Sequence, residues 1–548
     1  MTPLILRGSP ASLGPLMEST HDNQAGTQAA RPVAVIDIGA TAMRLRIAEL
    51  QPDGGIRSLD QIQQAVRLGK DTFTHGFIKP STIEECVAIL LSFRRVLKEY
   101  GITQPEQIRA VATSAVREAQ NRDAFLDRLY MATQINVEAI EGPVENRLTY
   151  IAVQDVLETE PTLKNSDSAI AEVGGGSTDL IFVREGRVTF SGTYRLGSLR
   201  LRETLETYRT PVERVRPVLE QQIRRSVDQL QRSAPVKTIT RLVALSGDAR
   251  FVASRIEPNW EENQVCRIPL KKFMAVADPL ISMPVDELVR RHHIPHQEAE
   301  TIGPALLVYE HLAVALQVQE ILVTRASLRD GLLREMALRG AWTTEYADQA
   351  MSAARLMSSR YNVDESHAER VANFCLRLFR ELQREHALDE RYALQLRIAA
   401  VLHEVGRFIS DRSHHKHSMY IVMNSDLFGL SKRDLALIGL VTRYHRRAMP
   451  QTYHTEYTAL DRESRIIVVK LAALLRIADA IDRRRVQPLE KISFSRVGDD
   501  FVITVNEPAD LTLETLALKE KANLFEQVFG MKVVLRSAIG EEEVFARG

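Results

Sequence analysis

The sequence predicts an α/β protein of two lobes built from one duplicated module, followed by an all-helical domain and a small α+β tail. Three observations predict this. Two stretches, beginning at Val33 and Ala169, run through the same order of strand, glycine turn and strand. Helical and strand patterns alternate after each of them. From about Ala341 the glycines thin out and a helical period takes over. A chain of 548 residues is also too long for one core.

The first copy, VAVIDIGATAMRLRIAELQPDGGIRSLDQIQQAVRLG, spans Val33 to Gly69. It gives an apolar strand, a glycine turn, and a strand in which Met43, Leu45 and Ile47 alternate with Arg44, Arg46 and Ala48. An Asp-Gly-Gly turn at 53–55 leads into another strand. The second copy, AIAEVGGGSTDLIFVREGRVTFSGTYRLG, spans Ala169 to Gly197 in the same order, with its second turn at Glu185-Gly186. Both end in Arg-Leu-Gly. Both carry acid-x-Gly at the first turn, Asp37-Ile38-Gly39 and Glu172-Val173-Gly174. Shared order and shared ends indicate duplication.

Between and after the copies the pattern continues. STIEECVAILLSFRRVLKEYG has Ser81 and Glu84 at capping-box spacing and stops at Gly101, which predicts a helix. IRAVATSAV predicts a strand, followed by a helix near residues 121–129 and the strand INVEAI. RLVALSG at 241–247 and EILVTRA at 320–326 predict strands among helices. The expected divisions are a disordered leader at 1–31, lobe I at 32–149, lobe II at 150–335, a helical domain at 342–489 and the tail at 490–548. Ligands of such two-lobed folds bind in the cleft.

Composition excludes some classes. Lys+Arg and Asp+Glu are equal at 71 each, so global charge selects no partner. Cys86, Cys266 and Cys375 are odd in number and far apart. That argues against a disulfide scaffold or a cysteine zinc site and fits a reducing cytoplasm. No apolar run approaches the ~20 residues of a membrane span. PLIL near the start lacks the sustained apolar core of a signal peptide.

The glycine turns carry the chemistry. Backbone N–H groups hold a phosphate only where side chains leave room, so Gly174, Gly175 and Gly176, with Gly39 in the first copy, are candidate phosphate contacts. Thr41, Ser177 and Thr178 add hydroxyls. Phosphates commonly arrive with Mg²⁺, which takes hard oxygen ligands, often through water. Asp37, Glu172 and Asp179 are its candidate ligands. A lone GGG would read as a hairpin turn with solvated acids; two matched acid-x-Gly turns facing one cleft favour phosphate.

Taken together, VIDIGATAMRL, VATSAVREAQN, EGPVENRLTY, EVGGGSTDL, YRLGSLRL and LRDGLL resemble the exopolyphosphatase/guanosine-pentaphosphate phosphohydrolase (Ppx/GppA phosphatase) family over about residues 32–335. LHEVGRFI, HKHSMYIVMNSDL and VTRYHRRA resemble the helical domain of its longer members. The resemblance implies an actin-like, sugar-kinase-like (Hsp70-like) fold. It implies Mg²⁺-dependent release of terminal orthophosphate from polyphosphate, guanosine pentaphosphate or both, and is consistent with a homodimer enclosing a long channel. It implies that Glu145, in Gly142-Pro143-Val144-Glu145-Asn146-Arg147-Leu148, orients the attacking water; the family's preceding glutamate is Val144 here. Arg117 matches a family arginine that contacts phosphate. Two departures stand out. Ala40 and Ala42 replace the serines of the first turn, and in the second turn aspartate and glutamate have exchanged places, giving Glu172 and Asp179.

In the helical half, AERVANFCLRLFREL places Val371, Phe374, Leu378 and Leu382 on one face, with His367 ahead of it. His403-Glu404, His417, His445 and Asp479 follow. This resembles the ligand order of HD-type metal phosphohydrolases, with Glu404 where that pattern has aspartate. It leaves a metal site or a vestigial HD-like domain open, and His414 and His415 read as a polar loop. Arg443, His445, Arg446 and Arg447, with Arg483, Arg484 and Arg485, form local basic clusters. They suit a polyphosphate channel by phosphate contacts and counterion release, or are solvated helix ends. No nucleic-acid motif or stacking platform is present. In the tail, KISFSRVGDDFVITV predicts a hairpin turning at 498–500. Two further functions compete with hydrolysis: a catalytically weak or inactive sensor that binds an alarmone or polyphosphate, motivated by Ala40 and Ala42, and a sugar or acetate kinase, disfavoured by the Glu145 segment.

Overall fold

The structure is a computed structural model of the full chain, and it describes residues 30–163, 166–207, 212–234, 239–261, 264–338, 344–484, 492–506 and 510–537. Residues 1–29 of the expected leader, and Arg485 of the basic cluster, lie outside the described residues.

The first sheet contains β1 (Arg31–Ile38), β2 (Ala42–Leu50), β3 (Ile56–Ala65), β4 (Ile108–Ala112) and β5 (Val137–Ala139) in the order β3-β2-β1-β4-β5. The first three strands pair antiparallel; β4 and β5 continue parallel to β1. Residues 33–38 of the central β1 are all buried, as a strand covered on both faces requires. The second sheet contains β6 (Ser168–Val173), β7 (Thr178–Arg184), β8 (Arg187–Tyr194), β9 (Arg241–Leu245), β10 (Cys266–Pro269) and β11 (Glu320–Val323), ordered β10-β11-β9-β6-β7-β8. Without the antiparallel edge strand β10, it repeats the order and directions of the first sheet.

The repeat extends to single hydrogen bonds. Gly39 N–H donates to the Ala42 carbonyl at 3.0 Å, and Gly174 N–H to the Ser177 carbonyl at 2.9 Å, closing equivalent turns. The repeated Arg-Leu-Gly docks on these turns. Gly69 N–H donates to the Ala40 carbonyl at 2.8 Å, and Ser198 N–H to the Gly174 carbonyl at 2.9 Å. A Cβ on Gly197 would fall 2.2 Å from the Gly176 carbonyl carbon, so only glycine permits that approach.

Two local expectations are corrected. The helix Pro80–Glu99 has no side-chain cap from Ser81. Pro80 takes the first helical position, where its fixed φ fits, and the Asp71 carboxylate instead accepts from Lys79 N–H and the Thr82 hydroxyl. Strand β4 ends at Ala112, and the following residues form the short helix Ser114–Arg117, which turns Arg117 inward.

Two helices join the lobes. Gly142–Thr159 runs through the expected boundary at 149/150, and Leu328–Ala337 crosses it so closely that a Cβ on Gly331 would lie 2.1 Å from the Leu148 carbonyl oxygen. Leu148, Leu328, Leu332 and Leu333 share a buried cluster with Val33, Val35 and Val111 of the first sheet.

The helical half contains Thr344–Arg360, Glu365–Glu381, Arg391–Leu402, His414–Met423, Lys432–Arg443 and Arg462–Ile481. Val371, Phe374, Leu378 and Leu382 are buried as expected. His367 lies inside its helix rather than ahead of it, with its N–H donating to the Asp364 N-cap carboxylate at 3.1 Å. His414 and His415 open a helix rather than forming a loop. The tail pairs β12 (Ile492–Val497) with β13 (Asp500–Val505) as a hairpin, and β14 (Lys532–Ser537) parallel to β13. Phe501, Ile503 and Phe525 of the tail belong to the same buried cluster as Leu471 and Leu475, so tail and helices share one core. Gln349 ties this half to lobe II, accepting from Val188 N–H at 2.7 Å and donating to the Gly186 carbonyl at 2.8 Å. No helix among the described residues is long and apolar enough to cross a membrane.

Candidate active site

The two glycine turns face each other where the lobes meet. A Cβ on Gly175 would stand 3.0 Å from Ala40 Cβ, and one on Gly176 would stand 2.2 Å from Ser114 Oγ and 2.4 Å from Phe73 Cζ. The second and third glycines therefore admit lobe I as well as leaving backbone accessible. Among the described residues, no protein acceptor meets the N–H groups of Ala40, Thr41, Gly175 or Gly176. Unpartnered N–H groups on facing turns are donors suited to phosphate oxygens.

Four carboxylates border the turns. Asp37 is next to last in β1, Glu172 next to last in β6, Asp179 second in β7, and Glu145 lies in the first turn of helix Gly142–Thr159. Glu172 and Asp179 are opposed in the β6/β7 pairing, and Asp37 and Arg44 hold the equivalent places in the β1/β2 pairing. Arg117 Nη1 donates to Glu145 Oε2 at 2.9 Å and to the Ile140 carbonyl at 2.6 Å. Thr193 donates to Asp179 at 2.6 Å and Thr149 to Glu172 at 3.0 Å. Arg329 reaches Asp37 Oδ2 at 3.2 Å, and Arg44 reaches it at 3.8 Å.

Burial raises the proton affinity of Glu145, Glu172 and Asp179. Burial lifts the Glu145 carboxyl above its usual range, Arg117 opposes the rise, and Asp37 adds to it. Burial, with repulsion from Glu145, pushes Glu172 up to about 7 and Asp179 well above the ordinary aspartate range. A cation would relieve this repulsion, and an all-oxygen donor set fits Mg²⁺. Among the described residues, no three of these carboxylates bring one oxygen each within 4.8 Å of one another. The set therefore fits an ion held partly through water, as Mg²⁺ commonly is.

Several expected contacts fall elsewhere. Thr178 spends its hydroxyl on the Leu196 carbonyl at 2.8 Å and is buried, so it does not offer a donor to the cleft. His445 is buried and donates from Nδ1 to the Thr442 carbonyl at 2.5 Å, which removes it from any surface channel. Arg447 is paired with Glu520 at 2.5 Å and Arg484 with Glu514 at 2.9 Å. Arg443 stacks over Tyr444. Arg447 and Arg484 are thus neutralised, whereas no carboxylate pairs with Arg443 or Arg446 among the described residues. Glu404 pairs its carboxylate with Arg407 at 2.8 Å and is not among the three side chains that converge. His367, His403 and Asp479 do converge.

Residues not singled out from the sequence complete the cleft: Arg44, Arg329, Thr149, Thr193 and Ser114. Arg44 and Thr193 lie on strands of the duplicated module, so aligning its two copies would have flagged them.

The Ppx/GppA phosphatase family profile matches residues 47–340, and the domain III profile of the same family matches residues 350–538. A guanosine-5'-triphosphate,3'-diphosphate pyrophosphatase of Pseudoalteromonas translucida is 23% identical over 465 residues, covering 82% of this chain and 87% of that protein. One from Vibrio vulnificus is 24% identical over 492 residues, covering 86% of this chain and 91% of its own. The crystal structure of an exopolyphosphatase from Cytophaga hutchinsonii shares the fold at a TM-score of 0.51 and 23% identity, covering 56% of this chain and 98% of that one. The two profiles follow one another along the chain, the first running from within β2 through the remaining strands of both sheets and the second glycine turn, with β1 and the first turn ahead of it, and the second covering the helical half and tail, and the chain belongs to the Ppx/GppA phosphatase family.

Proposed function

We propose that this protein is a phosphoanhydride hydrolase that releases terminal orthophosphate from inorganic polyphosphate, guanosine pentaphosphate or both, on the duplicated actin-like fold with an HD-like helical domain. The observation that carries the reading is the buried Glu145 carboxylate, held 2.9 Å from Arg117 Nη1 beside two turns with unpartnered N–H groups.

Hydrolysis needs a positioned water and a stabilised phosphoryl group. The N–H groups of Ala40, Thr41, Gly175 and Gly176, with the hydroxyls of Thr41 and Ser177, bind the terminal phosphate. Glu145 accepts a proton from the water as its oxygen bonds to phosphorus and the bridging P–O bond breaks. Arg117 keeps that carboxylate ionised and oriented. Asp37, Glu172 and Asp179 would hold Mg²⁺, which when bound supplies charge neutralisation of the phosphoryl oxygens.

Orthophosphate release from long-chain polyphosphate and from guanosine pentaphosphate, measured with Mg²⁺ for the parent and for Glu145→Gln, tests this. Release by the parent and a loss of about 10²–10⁴-fold in the variant is the expected result. Silence from the parent on both substrates, with retained binding of guanosine pentaphosphate, would overturn hydrolysis in favour of a sensor. The replacement of two turn hydroxyls by Ala40 and Ala42 motivates that alternative.

A further inference from the structure

We propose that the helical half holds one divalent transition-metal ion on His367 Nε2, His403 Nε2 and Asp479 Oδ1, a site separate from the phosphate cleft. One ligand atom from each of the three lies within 4.8 Å of the others, the one group of three among the described residues to converge so closely. His367 Nε2 is 3.7 Å and His403 Nε2 3.9 Å from Asp479 Oδ1. Donors bound to one ion at about 2.1 Å stand roughly 3–3.5 Å apart, so small side-chain rotations close the set.

Hydrogen-bond accounting shows what this pocket lacks. In a neutral imidazole the ring nitrogen that meets a carbonyl or carboxylate carries the proton, and the other nitrogen is left as a lone pair. His367 Nδ1 donates to Asp482 Oδ2 at 2.7 Å, and Asp482 is itself fixed by Arg370 at 2.8 Å. His403 Nδ1 donates to the Ala400 carbonyl at 2.6 Å. Both Nε2 atoms are thereby acceptors, and His403 Nε2 is buried with no hydrogen-bond partner among the described residues. Outer contacts that fix the tautomer and aim the second nitrogen inward are how metal-binding histidines are held.

The neighbouring pair has the same deficit. His445 Nδ1 donates to the Thr442 carbonyl at 2.5 Å and His414 Nδ1 to the Asp411 carbonyl at 3.2 Å, yet their Nε2 atoms face each other at 3.3 Å. Two lone pairs at that distance repel unless a proton or a cation lies between them. The His445 ring centre is 5.0 Å from that of His403, which puts a further imidazole beside the site.

Lys521 does not fill the deficit. Its ammonium pairs with Asp479 Oδ2, leaving Oδ1 toward the imidazoles. Lys521, from the tail, thus orients the carboxylate. Imidazole with carboxylate favours zinc, cobalt, iron or manganese over Mg²⁺, which separates this site chemically from the all-oxygen cleft. Glu404 is excluded because its carboxylate pairs with Arg407 and it is not among the three side chains that converge.

The test uses full-length protein stripped with a chelator, then equilibrated with Co²⁺ in excess Mg²⁺ and passed through gel filtration. A single cobalt ion per chain with a visible absorption band is expected. His367→Gln and His403→Gln should each weaken binding at least ~10-fold, while Glu404→Gln leaves it intact. Since a glutamine variant can fail to fold, cobalt-edge anomalous scattering from wild-type crystals gives an independent answer. A peak within bonding distance of His367 and His403 Nε2 is expected. Folded wild type without cobalt, an anomalous peak only elsewhere, or an unchanged spectrum in folded His403→Gln would overturn the site.

Discussion

Arg117 Nη1 lies 2.9 Å from Glu145 Oε2, and the same nitrogen reaches the Ile140 carbonyl at 2.6 Å. The arginine is anchored on the chain just ahead of the helix that carries Glu145, so charge and position are set by one contact. Burial raises the proton affinity of Glu145 and Arg117 opposes it. Replacing Arg117 by leucine removes the opposing charge. The acidic limb of the pH–rate profile, where the base must be ionised, should then move upward by about 1 pH unit or more. An unchanged limb in Arg117→Leu would show that Arg117 does not tune the base.

Glu172 contributes to stability with a definite sign. Burial, with repulsion from Glu145, pushes its folded carboxyl up to about 7, above the ordinary 4.5. Between those pH values the native state binds more protons than the unfolded chain, so stability falls as pH rises through this window. At pH 8 without divalent ions, Glu172→Gln is expected to raise the melting temperature by a few degrees while reducing Mg²⁺-dependent phosphate release. Added Mg²⁺ should stabilise the parent more than the variant. Scanning calorimetry with and without Mg²⁺ reads both effects.

Gly331 is required by the helix crossing at Leu148. A methyl there would lie 2.1 Å from the Leu148 carbonyl oxygen and 2.8 Å from its carbonyl carbon, both rigid backbone. Gly331→Ala should cost about 1–3 kcal/mol by overpacking. It should also lower phosphate release, because the displaced helix carries Glu145. A melting curve together with a rate measurement distinguishes this from a surface effect, which would leave both unchanged.

Arg476 is wholly buried and has no carboxylate partner among the described residues. It donates to the carbonyls of Tyr444 at 2.6 Å and Ala448 at 2.5 Å, and to Asn523 Oδ1 at 2.8 Å. These bonds join the helices to the tail. Arg476→Leu strands the buried Tyr444 carbonyl, while the exposed Ala448 and Asn523 can turn to water, and should destabilise this half by about 1–3 kcal/mol. Urea unfolding should show that loss with little change in phosphate release under native conditions.

Much was legible from local pattern. The duplicated strand and turn order announced two sheets of the same topology, because period-2 alternation and glycine turns are written in consecutive residues. The acid-x-Gly turns were visible for the same reason, while Glu145 was singled out only by the resemblance of its segment to the family's. Other features were not. The Ser81 capping box lost because the helix already starts at Pro80, with Lys79 as its N-cap and the distant Asp71 accepting from Lys79 N–H. The basic run at Arg443–Arg447 left a channel and solvated helix ends both open; the structure buries His445 and pairs Arg447 with Glu520 from the tail.

The sequence by itself determined the duplication, the glycine turns with their acids, and the switch from α/β to helical organisation. Each depends on spacing along the chain. Tertiary structure alone decided that Arg44 and Arg329 close on Asp37, that Arg117 engages Glu145, and that His367, His403 and Asp479 meet. His367 and Asp479 are more than a hundred positions apart, and no local periodicity encodes such a meeting. It follows from burying apolar helix faces against one another, which carries their polar residues along and fixes which of them find partners.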